Sequence, residues 1–117
     1  MFDYTKLGPD DCEFVTIAGE EELSNGERLF VEIGDIPLVI FNIAGEIYAI
    51  GDVCTHDDGP LGDGEVEKYD VICPRHGARF DVRTGKATTL PAIVDISAYP
   101  TRIVDGQIEV GISKDSL

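Results

Sequence analysis

The chain has no tryptophan, one methionine, two histidines and three cysteines among its 117 residues. Positive charge is equally scarce. Nine Lys and Arg stand against 23 Asp and Glu, for a formal net charge of −14. A nucleic-acid binder displaces counterions with a basic footprint, which this composition lacks. Long apolar runs are missing as well: stretches such as Leu38-Val39-Ile40-Phe41 fall far short of the ~20 residues a membrane-spanning helix requires. Met1 to Lys6 has neither the basic nor the apolar segment that opens a secretory signal. These absences predict a soluble, cytoplasmic chain whose partners include neither nucleic acid nor membrane.

What is present is enough for one domain, expected to span residues 1–117. An apolar fraction of 43% and a mean hydropathy near zero suit a globular fold that forms its core without staples. Val and Ile number 23 against 14 Leu and Ala, and 13 glycines and six prolines accompany them. That bias favours short strands joined by tight turns. Arg28–Ile33 and Ile36–Asn42 flank Gly34-Asp35, and Tyr99–Val104 and Gln107–Ile112 flank Asp105-Gly106, both hairpin signals. Glu46–Ile50, Val66–Cys73 and Arg79–Arg83 read as further strands. Pro9 to Cys12 could start one turn of helix, with no apolar 3.6-residue period continuing it. The expected fold class is all-β, an antiparallel sandwich or barrel.

Two Gly- and Pro-rich segments interrupt the strands: Gly51 to Gly62 and Cys73 to Ala78. Both histidines and two of the three cysteines fall there, as Cys54-x-His56 and Cys73-x-x-His76. Chance would produce this arrangement on the order of once in a thousand sequences of the same composition. A disulfide between Cys54 and Cys73 would leave both histidines without a role, and a cytoplasmic chain disfavours it. The four residues are candidate metal ligands. Two Cys and two His can close a tetrahedral zinc site, or can divide between the two irons of a [2Fe-2S] centre. Spacing and composition leave both possibilities open, with zinc the lesser.

Cys54-Thr55-His56 and Cys73-Pro74-Arg75-His76-Gly77, so spaced, resemble the cluster-binding signature of the Rieske iron–sulfur proteins. Phe80-Asp81 and Thr84-Gly85 resemble the strand and turn after the second loop in that family, and Leu90-Pro91-Ala92 its proline-containing loop. The resemblance covers nearly the whole chain and fits a small Rieske ferredoxin. It implies an antiparallel β fold carrying a cluster-binding loop subdomain, with loops at about 51–62 and 73–80 and the proline loop at about 89–92. It further implies one [2Fe-2S] cluster, with Cys54 and Cys73 as thiolates on the inner iron and His56 and His76 bound through Nδ1 to the outer one.

Departures from the family's respiratory members carry their own implications. Those members have a disulfide between the loops where this chain has Gly59 and Arg75. They also have Ser and Tyr hydroxyls bonded to the cluster where this chain has Ala78 and Phe80. Lost hydrogen bonds to the sulfurs destabilise the reduced state, so the potential is expected in the lower part of the roughly −150 to +300 mV Rieske range. Arg75 and Arg79 are expected to pair with Asp57, Asp58 or Asp81 and brace the loops. Cys12, outside both loops, reads as an inert buried thiol.

Two histidines, both in the signature, leave none for the mononuclear iron of a ring-hydroxylating oxygenase, so the chain is expected to carry electrons rather than catalyse. The resemblance implies a soluble monomeric ferredoxin between a flavin-dependent NAD(P)H reductase and a terminal oxygenase or other redox acceptor. The alternatives are a redox-active small subunit of a larger, nitrite reductase-like enzyme, which would show a large apolar patch, and a zinc-stabilised binding module. Residues 1–35 hold ten acids and two bases. This third of the chain reads as a solvated face, or else as a docking surface for a basic partner.

Overall fold

The run Leu38-Val39-Ile40-Phe41 lies in strand β3 (Ile36–Ile43), and its residues alternate between two hydrophobic cores. Leu38 and Ile40 enter one, Val39 and Phe41 the other, as the two-residue period of a strand requires. A strand buried on both faces reads as an uninterrupted apolar run, and this is the physical meaning of that segment. The computed structural model describes residues 4–6, 10–55, 59–75, 77–89 and 94–114.

β3 is central in a four-stranded antiparallel sheet with β2 (Arg28–Ile33), β4 (Glu46–Gly51) and β8 (Ala98–Tyr99), in the order β2-β3-β4-β8. A second sheet joins β1 (Cys12–Gly19), β10 (Gln107–Ser113) and β9 (Thr101–Val104). Leu38, Ile40, Ala49, Tyr99, Ile108, Val110 and Ile112 fill the core between these sheets. The third sheet is small: β5 (Val66–Glu67), β6 (Asp70–Ile72) and β7 (Arg79–Asp81), in sequence order. It packs with the two Gly/Pro-rich loops on the other face of the four-stranded sheet and encloses the second core. The described architecture is all-β and antiparallel, as expected.

Three local readings need correction. Residues 12–19 form a full strand, β1, which the sequence reading did not place, and Cys12 opens that strand rather than closing a helical turn. Phe14, Val15 and Ile17 supply the β preference there, and pairing to β10 carries the strand across a register shift between Thr16 and Ala18. Val66–Cys73 is a hairpin, β5 to β6, because Lys68 adopts φ = +56° and turns the chain. Tyr99–Val104 is split at Pro100, which ends pairing with β4 after Tyr99; the chain then pairs with β10 from Thr101. The hairpins at Ala44-Gly45 and Asp105-Gly106 both place two successive residues at positive φ, the geometry that matches strand twist.

Candidate metal centre

Cys54 and Cys73 are 0% and 1% exposed and belong to the same core, with Leu61, Val71, Ala78, Phe80 and Val82. Each opens a loop at the end of a strand, Cys54 three residues past β4 and Cys73 directly after β6. The loops close alike. The Cys54 amide donates to the Gly59 carbonyl and the Cys73 amide to the Ala78 carbonyl, both across 2.7 Å. Gly77, at φ = +75°, turns the second loop and donates its amide to the Cys73 carbonyl at 3.0 Å. A β-branched or bulky residue at that φ would be strained, which is why glycine stands there.

Outside each closed turn, polar groups fix the backbone. The Asp52 amide donates to the Pro37 carbonyl on β3, and Asp52 Oδ1 accepts the amides of Leu61 at 2.9 Å and Gly62 at 2.6 Å. Arg28, on β2, donates through Nη1 to the carbonyls of Gly62 and Gly64, both at 2.5 Å, with its guanidinium 5.2 Å from the Phe41 ring centroid. Asp52, just past β4, and Arg28, on β2, thereby hold both hydrogen-bonding sides of residues 61–64. At Gly64 the backbones meet so closely that a Cβ would lie 1.8 Å from the Ile72 carbonyl oxygen. That contact sets the first loop against the strand leading into the second. Thr55 Oγ1 donates to the carbonyl of Val94, tying the first loop to the segment before β8.

Of the expected pairs, Arg79 and Asp81 take partners other than each other. Arg79 pairs with Glu67 at 3.2 Å and Asp70 at 3.3 Å, bracing the small sheet. Asp81 is taken by Arg83 instead, through Nε at 3.1 Å and Nη2 at 2.9 Å. Burial alone would raise the Asp81 carboxyl, but these bonds and the adjacent positive charge hold it below its ordinary range. Arg75 does reach the first loop: Nη1 donates to the Pro60 carbonyl at 2.7 Å. Asp57 and Asp58 lie outside the described residues, as do His56, His76 and residues 90–92 of the expected proline loop. Cys12 is buried at the start of β1, and desolvation pushes its thiol up, as an inert role requires.

The structure therefore brings together two of the four expected ligands. Among the described residues Cys12, Cys54 and Cys73 are all thiols, with no disulfide joining any pair. No group of three or more His, Cys, Asp or Glu side chains suited to a metal occurs among them either. The donor chemistry fits an iron–sulfur group with one sulfur-ligated, buried side. Two thiols from equivalent closed turns share one dry core, and in sequence His56 and His76 fall within the same two turns. Asp52, Arg28 and Gly64 escaped the sequence reading. Arg28 had one detectable signal, being one of only two bases among the first 35 residues.

Comparison with known proteins agrees with this geometry. Residues 13–100 match the family model of the Rieske [2Fe-2S] domain, so the chain belongs to that family. Its cofactor is accordingly one Rieske-type [2Fe-2S] cluster. Within the family it is similar to ferredoxin components of dioxygenase systems. It is 35% identical to the anthranilate 1,2-dioxygenase ferredoxin subunit of Burkholderia cepacia, over 86% of this chain and 94% of that one. The ferredoxin of carbazole 1,9a-dioxygenase from Nocardioides aromaticivorans superposes with a TM-score of 0.78 at 28% identity, covering 83% of this chain and 95% of that one. A ferredoxin solved in complex with the reduced oxygenase of carbazole 1,9a-dioxygenase gives a TM-score of 0.77 at 26% identity, over 83% and 91% of the two chains. No helix of the described residues is long and apolar enough to cross a membrane.

Proposed function

We propose that this protein is a one-electron carrier of the ferredoxin type, a single domain that delivers electrons to the terminal oxygenase of a dioxygenase system and receives them from a flavin-dependent NAD(P)H reductase. The observation that carries the reading is the pair of buried thiols, Cys54 and Cys73, at the heads of two identically closed loops in one core. Cys54 and Cys73 hold one iron as thiolates, and His56 and His76 hold the other. When bound, the cluster supplies reversible storage of a single electron.

The chain's own residues shape that chemistry. Leu61, Ala78 and Phe80, each fully buried, exclude water from the thiol side. Ala78 and Phe80 bring no hydroxyl to the sulfurs, which keeps the potential in the lower part of the roughly −150 to +300 mV range. Asp52 and Arg28 pin residues 61–64 of the first loop against the sandwich.

The free-shuttle reading is favoured over a permanently docked subunit by the described surface. The large hydrophobics exposed there are Phe30, Val94, Ile103 and Val104, spread over β2, the segment before β8, and β9. A docked subunit would gather such residues into one broad patch. The net charge of −14 further favours a soluble monomer that meets basic surfaces by electrostatic steering.

A potentiometric titration of the purified protein tests the proposal. One reversible one-electron transition at a potential in the lower half of that range is expected. A two-electron transition, no transition, or a value near the upper limit would contradict it.

A further inference from the structure

Three charged side chains hold the backbone of the first loop, and they come from different places. Asp52 belongs to its own entry strand's extension, and Arg28 reaches it from β2. Arg75 comes from the second loop, one residue before His76. Its Nη1 donates to the Pro60 carbonyl at 2.7 Å, and its guanidinium lies flat over Gly59. A Cβ at residue 59 would stand 2.8 Å from Cζ and Nη2 and 3.1 Å from Nε of Arg75. Glycine at 59 is what leaves space for the arginine, although the turn does not demand positive φ there. Gly59 is also the residue whose carbonyl closes the Cys54 turn.

We infer that Arg75 is a positioning residue that bridges the two ligand loops, seated on Gly59 and bonded to Pro60, and so fixes the turn of Cys54 and His56 relative to that of Cys73 and His76. The bridge is non-covalent and suits the planar guanidinium, which packs by its face and donates by its edge. A charge-assisted hydrogen bond of this kind is shorter and stronger than a neutral one. Arg75 touches no reacting atom in this assignment. It acts through Pro60 on one side and through its chain neighbour His76 on the other.

The inference rests on the proposed cluster ligation, and its test uses the cluster-loaded protein. Arg75→Gln removes the bridge. Gly59→Ala displaces the guanidinium while keeping its charge, and the fold tolerates it because the colliding atoms end a flexible side chain. Two quantities are read: the rate of cluster loss to an iron chelator, and the reduction potential. Each single variant is expected to lose cluster about tenfold faster, the scale of one hydrogen bond to a charged group. Both are expected to shift the potential in the same, downward direction. In the rate of cluster loss the double variant should match Arg75→Gln, because the contact that Gly59 makes room for is already gone. Arg75→Lys, which lacks the planar face, should restore only part of the loss.

Additive effects, an unmoved potential in Gly59→Ala, or full recovery in Arg75→Lys would overturn the bridge. A parent protein without iron and sulfide would instead overturn the electron-carrier reading itself, so the two failures are separate.

Discussion

Cys54 and Cys73 begin turns closed by the same hydrogen bond, from the cysteine amide to the carbonyl five residues on, at the same 2.7 Å. Two segments of unrelated sequence, Cys54 to Gly59 and Cys73 to Ala78, thus converge on one device for presenting a thiol inward. Because the two turns are equivalent, their cysteines should be equally indispensable. Cys54→Ser and Cys73→Ser should each fold with roughly a tenth or less of the parent's iron and sulfide, since a hydroxyl is a poor replacement for a thiolate ligand. Iron and sulfide analysis checks this. A serine variant at either position with a full complement would remove that cysteine from the site.

Asp52 accepts two amides of the first loop with one oxygen, and no other described side chain serves them. Asp52→Ala leaves those donors unsatisfied beside the buried Leu61 and Gly62. The expected cost is about 2–4 kcal/mol in urea unfolding of the loaded protein. Asp52→Asn keeps an acceptor oxygen and should cost less than half as much.

Gly64 and Gly77 are both glycines of the loop region, yet they are required for different reasons. At Gly64 a Cβ meets the Ile72 carbonyl at 1.8 Å, and neither backbone can yield without moving a strand. Gly64→Ala should therefore cost more than about 3 kcal/mol or prevent cluster assembly. Gly77 has open space around it and only its φ of +75° to defend, so Gly77→Ala should cost about 1–2 kcal/mol. Thermal unfolding of the two variants should rank them in that order.

Arg83 lowers the pKa of Asp81 and so favours its ionised form, against the opposing effect of burial. A carboxyl lowered in the folded state adds stability above its unfolded value, near 3.8, that disappears as pH falls through the lowered folded value. Arg83→Gln should move the Asp81 midpoint upward and narrow this acid-range dependence. The carboxyl carbon of Asp81, followed by NMR against pH in the oxidised protein, reads the shift directly. An unchanged midpoint would show that the ion pair does not form in solution.

The sequence exposed the strands and hairpins whose chemistry is local. Gly34 and Asp105-Gly106 turn at positive φ, which Gly and Asp tolerate, and the Cys-x-His and Cys-x-x-His spacings stand out because both residue types are rare here. What stayed hidden depends on distant pairing. β1 has local β-formers in Phe14, Val15 and Ile17, but its partner is β10, almost a hundred residues away, and the turn at Lys68 uses a residue that seldom takes positive φ. Arg28 and Asp52 hold the loop through contacts spanning 34–36 and 9–10 residues, and no local pattern marks such partners.

The ligation itself is open to direct measurement. With histidine labelled by nitrogen-15 and the protein reduced by one electron, electron–nuclear double resonance should show two histidine nitrogens coupled to the cluster's unpaired spin, because His56 and His76 share one iron. A spectrum with no nitrogen coupling, or a colourless protein carrying one divalent ion in place of iron and sulfide, would contradict it.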